Sequence, residues 1–372
     1  MKIALVHYWL VTMRGGEKVL EELCRLYPQA DIFTHVVQPD RISDTLRAHR
    51  IYTSFIARLP GSVRHYQKYL PLMPLALEQL DLRGYDLVIS SESGPAKGVI
   101  TGENTLHLCY CHTPMRYLWN MYHDYRESTN GLTRALMAPT FSYLRQWDLA
   151  SASRVDHFIA NSTTVQHRIA KTYRRAADVI HPPVAVEEFS PIIEKPDDSY
   201  LLCGQLVPYK RADIAVAAFN KMSRRLIVVG DGSERQKLSR MAGPTVQILG
   251  PQPFSSLRNL YAKCRALIFP GEEDFGIVPV EAMASGRPVI AYDKGGVRDS
   301  VRDGISGILY PVPGVEGLIS AVARFEAMEG AFSSAAITAE ASRFSASRFR
   351  TEMATLVDLK LNRFRETGPF LD

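Results

Sequence analysis

Short apolar runs alternate with amphipathic stretches along almost the whole sequence. The runs have the length of buried strands and span residues 3–7, 87–90, 106–111, 157–160, 200–203, 226–229, 246–249, 266–269 and 288–291. Residues 17–27, 163–173, 212–222 and 233–241 repeat apolar side chains at helical spacing. Because strand–helix alternation favours parallel sheets with helices on both faces, the pattern predicts an α/β fold.

The chain is too long for a single core. At 372 residues, two domains of about 150 to 200 residues each are expected. The alternation stops at residues 182–199, where four prolines and several acids break both periodicities. We predict an N-terminal domain at 1–185, a linker at 186–199, a C-terminal domain at 200–347 and a terminal helical segment at 348–372.

The five cysteines are scattered through apolar runs, which is typical of free thiols in a reducing cytosol. Cys109 and Cys111 stand beside His112, but no second ligand pair at zinc spacing accompanies them, so we expect no metal site. The first apolar run lacks a signal-peptide cleavage pattern, and no apolar stretch approaches the roughly 20 residues that cross a bilayer. These features indicate a cytoplasmic protein.

Positive charge is concentrated in one segment of the first half. The whole net charge of +5 falls within residues 1–185, and residues 41–77 contain six basic side chains and one acid. Aromatic and aliphatic residues are mixed with them, which suits docking at an anionic membrane surface. A solvated basic face around ordinary core residues explains the segment equally well. The chain shows no nucleic-acid-binding module, so we expect no nucleic-acid partner.

Two loops that follow predicted strands have the composition of phosphate-binding loops. Gly15 and Gly16 precede a helix expected to start near Glu17, where bare backbone can approach an anion or form a simple turn. Lys210 and Arg211 stand where a second loop enters a helix. The helix dipole disfavours cations at the start of a helix, so two cations there indicate that a diphosphate is bound between them and the helix. The alternative is a surface pair with nearby acids.

A third loop, at residues 269–286, carries Glu272, Glu273 and Asp274 and leads into a helix that contains Glu281. Carboxylates accept hydrogen bonds from vicinal hydroxyls of sugars and ribose. The backbone N–H groups of residues 275–277 would point at phosphate or sugar oxygens. The alternatives to ligand binding are that Asp274 caps the helix and that Glu281 lies on a solvated helix face.

Glu273 and Glu281 form a Glu-x7-Glu motif, with Phe275-Gly276 inside it and residues 282–288, AMASGRP, behind it. This motif resembles the signature of the retaining glycosyltransferases of family four, which have the GT-B fold. Matching stretches are Gly15-Gly16-Glu17, HTPMR at 112–116, Asn161-Ser162, PPV at 182–184, Lys210, Gly295-Gly296, Asp303-Gly304 and Gly307. The segments HTPMRYLW and LVPYKRAD are similar to the bacterial mannosyltransferase-like branch.

The resemblance implies two Rossmann-like doubly wound parallel-sheet domains that face one another across a cleft, with the terminal helix packed back on the first domain. It also assigns roles to residues. The residues implied as catalytic are His112, Lys210 and Glu273. Those implied in donor binding are Gly15, Gly16, Lys210, Arg211, Glu273, Phe275, Gly276, Ile277 and Glu281.

Within this set, Glu273 would hold donor-sugar hydroxyls, Glu281 the ribose and Lys210 the diphosphate, while His112 would lie near the transferred sugar as an orienting hydrogen-bond donor. One position departs from the family pattern. Gln205 stands where the family has Arg before Leu-Val-Pro, so neutralisation of the leaving group would fall on Lys210 and Arg211.

The resemblance thus implies retaining, metal-independent transfer of a sugar from a nucleotide-sugar donor. The expected donor is GDP-mannose, and the expected acceptor is a lipid-linked saccharide in surface polysaccharide or lipopolysaccharide biosynthesis. No cofactor is expected, and the site of action would be the inner face of the cytoplasmic membrane. The alternatives are a sugar-nucleotide epimerase of the same fold and a non-catalytic nucleotide-sugar-binding protein, which Gln205 favours.

Overall fold

The chain forms two compact units, each built around one parallel sheet. In this computed structural model, the described residues are 1–127, 131–189 and 196–368. One unit comprises Met1–His181 with Phe349–Asp372, and the other comprises Pro182–Arg348. The division therefore falls after 181 and 348, whereas the domain ends predicted from the sequence are 185 and 347. Residues 190–195 of the linker predicted there, and 369–372 of its terminal segment, lie outside the described residues.

The sheet of the N-terminal unit has seven strands, all paired in parallel. They are β1 (Ile3–His7), β2 (Asp31–Thr34), β3 (Ile51–Thr53), β4 (Leu87–Glu92), β5 (Leu106–Cys111), β6 (His157–Ala160) and β7 (Ala177–Val179). Their order in the sheet is β3-β2-β1-β4-β5-β6-β7. All residues of β1, β4, β5 and β6 are buried, as expected for strands covered on both faces.

The helices of this unit are α1 (Gly15–Leu26), α2 (Asp44–Arg47), α3 (Ser62–His65), α4 (Met73–Glu78), α5 (Tyr122–Glu127), α6 (Gly131–Ala152) and α7 (Thr163–Tyr173). Side chains accept hydrogen bonds from backbone N–H groups at the starts of α1, α2 and α7. Glu17 accepts a hydrogen bond from the Arg14 N–H at 3.0 Å before α1, and the Ser162 hydroxyl accepts from the Val165 N–H at 3.2 Å before α7.

The sheet of the C-terminal unit has six parallel strands. They are β8 (Ser199–Cys203), β9 (Arg225–Val229), β10 (Val246–Leu249), β11 (Leu267–Phe269), β12 (Val289–Tyr292) and β13 (Gly307–Tyr310), in the order β10-β9-β8-β11-β12-β13. Its helices are α8 (Ala212–Met222), α9 (Arg235–Met241), α10 (Phe254–Lys263), α11 (Ile277–Ala284), α12 (Val297–Ser300), α13 (Val315–Met328) and α14 (Ser334–Ser342). The predicted α/β fold of parallel sheets is confirmed.

The last helix, α15 (Ala346–Thr367), joins the core of the N-terminal unit from Phe349 onward. Apolar side chains recur every three or four residues at 349, 353, 357, 361 and 364, and all five belong to the same buried cluster as Leu5 and Leu108. This spacing places them on one face of the helix. The helix therefore completes the cover of that sheet.

Both sheets reverse their winding direction between two neighbouring strands. The reversal lies between β1 and β4 in the N-terminal unit, and between β8 and β11 in the C-terminal unit. Ligands of doubly wound sheets bind outside the carboxyl ends of the strands at such a point. The loops that follow β8 and β11 are the second and third loops selected from the sequence.

Candidate active site

Lys210 and Glu273 meet at the carboxyl ends of β8 and β11. Lys210 Nζ lies 2.8 Å from Glu273 Oε1, and both side chains are about four-fifths buried, at 18% and 19% exposure. A narrow pocket adjoins the pair and is lined by Cys203, Gln205, Lys210, Phe269, Pro270 and Glu273. The two side chains come together because β8 and β11 are neighbours at the reversal point of the sheet.

The Lys210 ammonium keeps its charge in this pocket. Burial on its own would lower the pKa of Lys210, but the charge of Glu273 and their hydrogen bond outweigh burial and raise it. A permanent cation next to a carboxylate can hold a phosphate while the carboxylate accepts hydroxyl hydrogen bonds. Lys210 and Glu273 thus have the chemistry that an anion and sugar site requires.

Close backbone contact holds the two loops together, and glycine permits it. A Cβ on Gly271 would lie 2.7 Å from Lys210 Cα, closer than side-chain carbons approach backbone. Gly204, with φ of +139°, leaves room for the Lys210 ammonium, which would lie 3.3 Å from a Cβ there. The missing side chains of Gly204 and Gly271 therefore allow the close contacts that form the pocket.

Glu281 lies on α11 and is anchored by a buried tyrosine. The Tyr261 hydroxyl, on a fully buried side chain, donates to Glu281 Oε2 at 2.8 Å. Burial, and then the nearby charge of Glu281, raises the pKa of the Cys203 thiol to about 12, so this cysteine is a neutral thiol at pH 7. Tyr261 fixes the orientation of the carboxylate that the sequence assigns to ribose binding.

The start of α11 has free backbone N–H groups. Phe275 is buried and its ring lies 5.4 Å from that of Phe344, so its side chain belongs to the core. Gly276 has φ of +89° and precedes Ile277, the first residue of the helix. N–H groups of a first helical turn have no acceptor within the helix. Phe275 and Gly276 can therefore contact a donor only through their backbone, whereas the Ile277 side chain is half-buried.

Arg211 and Gln205 are both exposed at the entrance to α8. The Arg211 guanidinium donates to Asp213 Oδ1 and Oδ2 at 3.1 and 3.2 Å, which is the surface pair that the sequence left open as an alternative. Its backbone is left-handed, with φ of +54°. In this arrangement Lys210 supplies the positive charge of the pocket.

Gly15 and Gly16 are the first two residues of α1, so the helix starts two residues earlier than predicted. A Cβ on Gly16 would lie 2.4 Å from the Tyr8 hydroxyl oxygen. The glycine is therefore needed for packing against Tyr8, and its backbone N–H lies in the first helical turn, where anions bind.

His112 follows β5 and joins a row of polar side chains. Its Nε2 lies 2.8 Å from Ser91 Oγ at the end of β4, and Ser91 Oγ lies 3.1 Å from His7 Nδ1 at the end of β1. Burial, and then the neighbouring His7, lowers the pKa of His112 to about 3. Its imidazole is neutral at pH 7 and suits hydrogen bonding rather than charge stabilisation.

Comparison with known proteins supports the same chemistry. The family model "Glycosyltransferase Family 4" matches residues 13–188, and "Glycosyl transferases group 1" matches residues 185–343. The GDP-mannose-dependent alpha-mannosyltransferase of Mycolicibacterium smegmatis is 30% identical over 290 residues, which cover 74% of this chain and 73% of the relative. The chain belongs to the family-four glycosyltransferases.

Two further proteins resemble this glycosyltransferase over most of its length. The GDP-mannose-dependent alpha-mannosyltransferase of Mycobacterium tuberculosis is 28% identical over 79% of this chain and 78% of its own. The crystal structure of Anabaena HepE in complex with UDP has a TM-score of 0.69 at 18% identity, and covers 96% of this chain and all of HepE. The predicted GT-B fold class, with two Rossmann-like domains, is confirmed.

Membrane-spanning helices, metal sites and free thiols are the remaining features of the described residues. None of the described helices is long and apolar enough to cross a membrane. No group of three or more His, Cys, Asp or Glu side chains in the described ranges could hold a metal ion. Cys109 and Cys111 are both buried free thiols that pack in one apolar cluster with Phe158.

Several side chains of the site region carry no sequence signal. Tyr261 stands in an ordinary amphipathic helix, and Ser91 and His7 stand inside strand patterns. Next to Ser91, Lys97 forms a fully buried ion cluster with Glu92, at 2.7 Å, and with Asp148. Asp148 lies 51 residues from Lys97 in sequence, so only the folded chain reveals that the three charges satisfy one another.

Proposed function

We propose that this glycosyltransferase transfers mannose from GDP-mannose to a lipid-linked saccharide, with retention of configuration and without a metal ion or cofactor. The donor follows from the names of the relatives, since two GDP-mannose-dependent alpha-mannosyltransferases match about three-quarters of the chain at 30% and 28% identity. The role in surface polysaccharide or lipopolysaccharide biosynthesis, at the inner face of the cytoplasmic membrane, belongs to the same proposal.

The observation that carries the proposal is the Lys210–Glu273 pair, 2.8 Å apart at the reversal point of the second sheet. A nucleotide sugar presents a diphosphate directly bonded to a hydroxyl-rich ring, so it needs a cation and a carboxylate side by side. Lys210 would bind the diphosphate and Glu273 the sugar hydroxyls. Glu281, held by Tyr261, would accept from the ribose hydroxyls.

The reaction exchanges one bond to the anomeric carbon for another. The bond from that carbon to the phosphate oxygen breaks, a bond to the acceptor oxygen forms on the same face, and the departing phosphate takes the acceptor's proton. Lys210 and the first-turn N–H groups of α11 would stabilise the negative charge that develops on the phosphate. Neutral His112 would hydrogen-bond the transferred sugar near the reacting carbon.

The basic segment at residues 41–77 would contact the anionic membrane that carries the acceptor. All six basic side chains are exposed, as are the apolar side chains of Tyr52, Val63, Leu72 and Leu75. Other apolar residues of the segment, including Ile56 and Met73, are buried in the core. Exposed cations mixed with exposed apolar groups favour an interfacial surface.

In the test, labelled GDP-mannose, UDP-glucose and free GDP are each incubated with the protein, with and without bacterial lipid extract. The labelled products distinguish the proposed function from its alternatives. Label on lipid from GDP-mannose supports the proposal, and label on lipid from UDP-glucose would overturn the assigned donor. An isomerised free donor would indicate an epimerase. Binding of the nucleotide sugar without turnover would indicate the non-catalytic binding protein that Gln205 favours.

A further inference from the structure

A row of four polar side chains in the N-terminal unit ends at His112. Ser91 Oγ lies 2.8 Å from His112 Nε2 and 3.1 Å from His7 Nδ1, and His7 Nε2 lies 4.0 Å from Glu17 Oε1. Glu17, His7 and Ser91 are all buried, whereas His112 is partly accessible. The row therefore connects a buried carboxylate with the imidazole that would contact the sugar.

The Ser91 hydroxyl has one proton, so it donates to one imidazole and accepts from the other. In the first arrangement Ser91 donates to His7 Nδ1 and accepts from His112 Nε2–H. In the second arrangement Ser91 donates to His112 Nε2 and accepts from His7 Nδ1–H. The two arrangements differ at the far end of the row. For a neutral His7 ring, Nε2 carries a proton in the first arrangement and a bare lone pair in the second.

Glu17 distinguishes the two arrangements. It lies in the first turn of α1, where the helix dipole favours an ionised carboxylate, and its Oε2 accepts from the Arg14 N–H at 3.0 Å. His7 Nε2 faces Oε1 of this carboxylate and has no hydrogen-bond partner in the described part of the chain. In a buried site a carboxylate attracts an N–H and repels a lone pair, so Glu17 favours the first arrangement.

We propose that Glu17, His7 and Ser91 are positioning residues that hold His112 in its Nε2–H tautomer and leave Nδ1 as a hydrogen-bond acceptor. The His112 imidazole forms no other hydrogen bond with the described residues, and the tautomer of a histidine is set by the bond its other nitrogen makes. The proposal rests on the proposed function, which places the transferred sugar at His112.

The chemical consequence is selectivity for a group that donates. A sugar hydroxyl can donate to Nδ1, whereas a phosphate or carbonyl oxygen cannot. His112 would accordingly accept a hydrogen bond from a hydroxyl of the sugar, instead of donating one as expected from the sequence.

Nitrogen NMR of the full chain labelled with 15N-histidine tests the tautomer directly, with the His112 signals assigned from a His112→Gln sample. At pH 7.5 we expect a protonated Nε2 and an unprotonated Nδ1 in the wild type. In Ser91→Ala the preference of His112 for a protonated Nε2 should weaken. The value of kcat should fall about tenfold, which corresponds to the loss of one hydrogen bond. Ser90→Ala is the matched control, because Ser90 is equally buried on β4 but bonds His107 at 2.9 Å.

Two spectroscopic results would overturn the proposal: His112 protonated on Nδ1 in the wild type, or the same tautomer equilibrium in Ser91→Ala as in the wild type. Should Ser91→Ala fail to fold, Glu17→Gln tests the same row, since it keeps an oxygen for the Arg14 N–H but removes the charge. A shifted equilibrium supports the proposal, and an unchanged one overturns it. Failure of the proposed function would appear separately, as absence of sugar transfer by the wild type, because the spectra require no donor.

A donor series provides a second readout. In monofluoro analogues of the donor sugar, fluorine replaces a hydroxyl and accepts weakly but cannot donate. At the position that contacts His112, the fluoro and deoxy analogues should lose the same factor in binding affinity, measured as Kd, if Nδ1 is an acceptor. An analogue series in which fluorine substitutes for every hydroxyl without loss would contradict an accepting Nδ1.

Discussion

At the scale of single residues, Lys210 is a charged side chain that the C-terminal unit holds largely out of water. Its ammonium is largely buried, lies 2.8 Å from Glu273, and has a raised pKa, because the carboxylate outweighs the effect of burial. An incoming diphosphate would find this cation already desolvated and oriented. Preorganised charge of this kind stabilises a transition state without further rearrangement.

We expect Lys210→Ala to lower kcat/KM by about 100-fold or more, as removal of a preorganised donor does elsewhere. Lys221→Ala is the matched control, since Lys221 is exposed on α8 and pairs with Glu316 at 2.8 Å. Steady-state kinetics with labelled donor measure both variants. Wild-type rates in Lys210→Ala would contradict the assigned role.

Glu281→Ala should weaken donor binding and also lower stability, because the buried Tyr261 hydroxyl donates to Glu281. Loss of an acceptor for a buried hydroxyl costs about 1 to 3 kcal/mol, a fall of roughly 5 °C in the melting temperature of a unit this size. Glu281→Gln keeps an acceptor, so it should weaken donor binding about tenfold with little change in melting temperature. Calorimetry of GDP binding and of unfolding tests both variants. Normal binding by both would exclude Glu281 from the donor site.

At the scale of elements, the loop between β11 and α11 is held by a second loop that contains Gly295 and Gly296. The Gly296 N–H donates to the Glu273 carbonyl at 2.9 Å. A Cβ on Gly296 would lie 2.2 Å from the Asp274 carbonyl oxygen, and one on Gly295 would lie 2.4 Å from that of Glu273. This contact explains a glycine pair that the sequence shows only as a family motif.

Gly296→Ala should therefore displace the Glu273 loop, although φ at Gly296 is an ordinary −71°. We expect a loss of about 1 to 3 kcal/mol in the free energy of unfolding, typical of overpacking, together with weaker donor binding. Gly330→Ala is the control, because a Cβ there would meet nothing within 4 Å. Urea unfolding and donor titration measure the two effects. If Gly296→Ala and Gly330→Ala lost the same stability and the same donor affinity, a clash with the Glu273 loop would not be the cause.

Elements were predictable from sequence where an apolar run or a helical period marks them. The runs at β1, β5, β6 and β10 match the observed strands residue for residue, and α7 and α8 match the predicted helices. The short strands β2, β3, β7 and β13 were not predicted, and three of them lie at sheet edges. Three or four residues with partly exposed or polar positions carry too little periodicity to be distinguished from loops.

At the scale of the whole molecule, charge is distributed unevenly along the chain. The net surplus of +5 lies in residues 1–185. Within that half, Arg58, Arg64 and Lys68 are all exposed. A surface of this kind attracts anionic lipid over about one Debye length.

We expect the triple change Arg58→Glu, Arg64→Glu, Lys68→Glu to lower binding to anionic vesicles at least tenfold and to reduce the salt dependence of binding. Lys221→Glu, Lys237→Glu, Arg240→Glu makes the same change of net charge on exposed positions of α8 and α9, and it should bind as the wild type does. Vesicle co-sedimentation measures all three proteins. Equal losses in the two triple variants would show that only total charge matters.

By itself the sequence determined the α/β class, the glycosyltransferase family and which loops carry charged residues, because periodicity, composition and motif spacing are local properties of the chain. Only the tertiary structure decided which side chains meet. His7 and Ser91 are 84 residues apart in sequence yet hydrogen-bonded, and Lys210 reaches Glu273 because β8 lies beside β11. Strand order depends on how the whole sheet packs, and no local pattern encodes it.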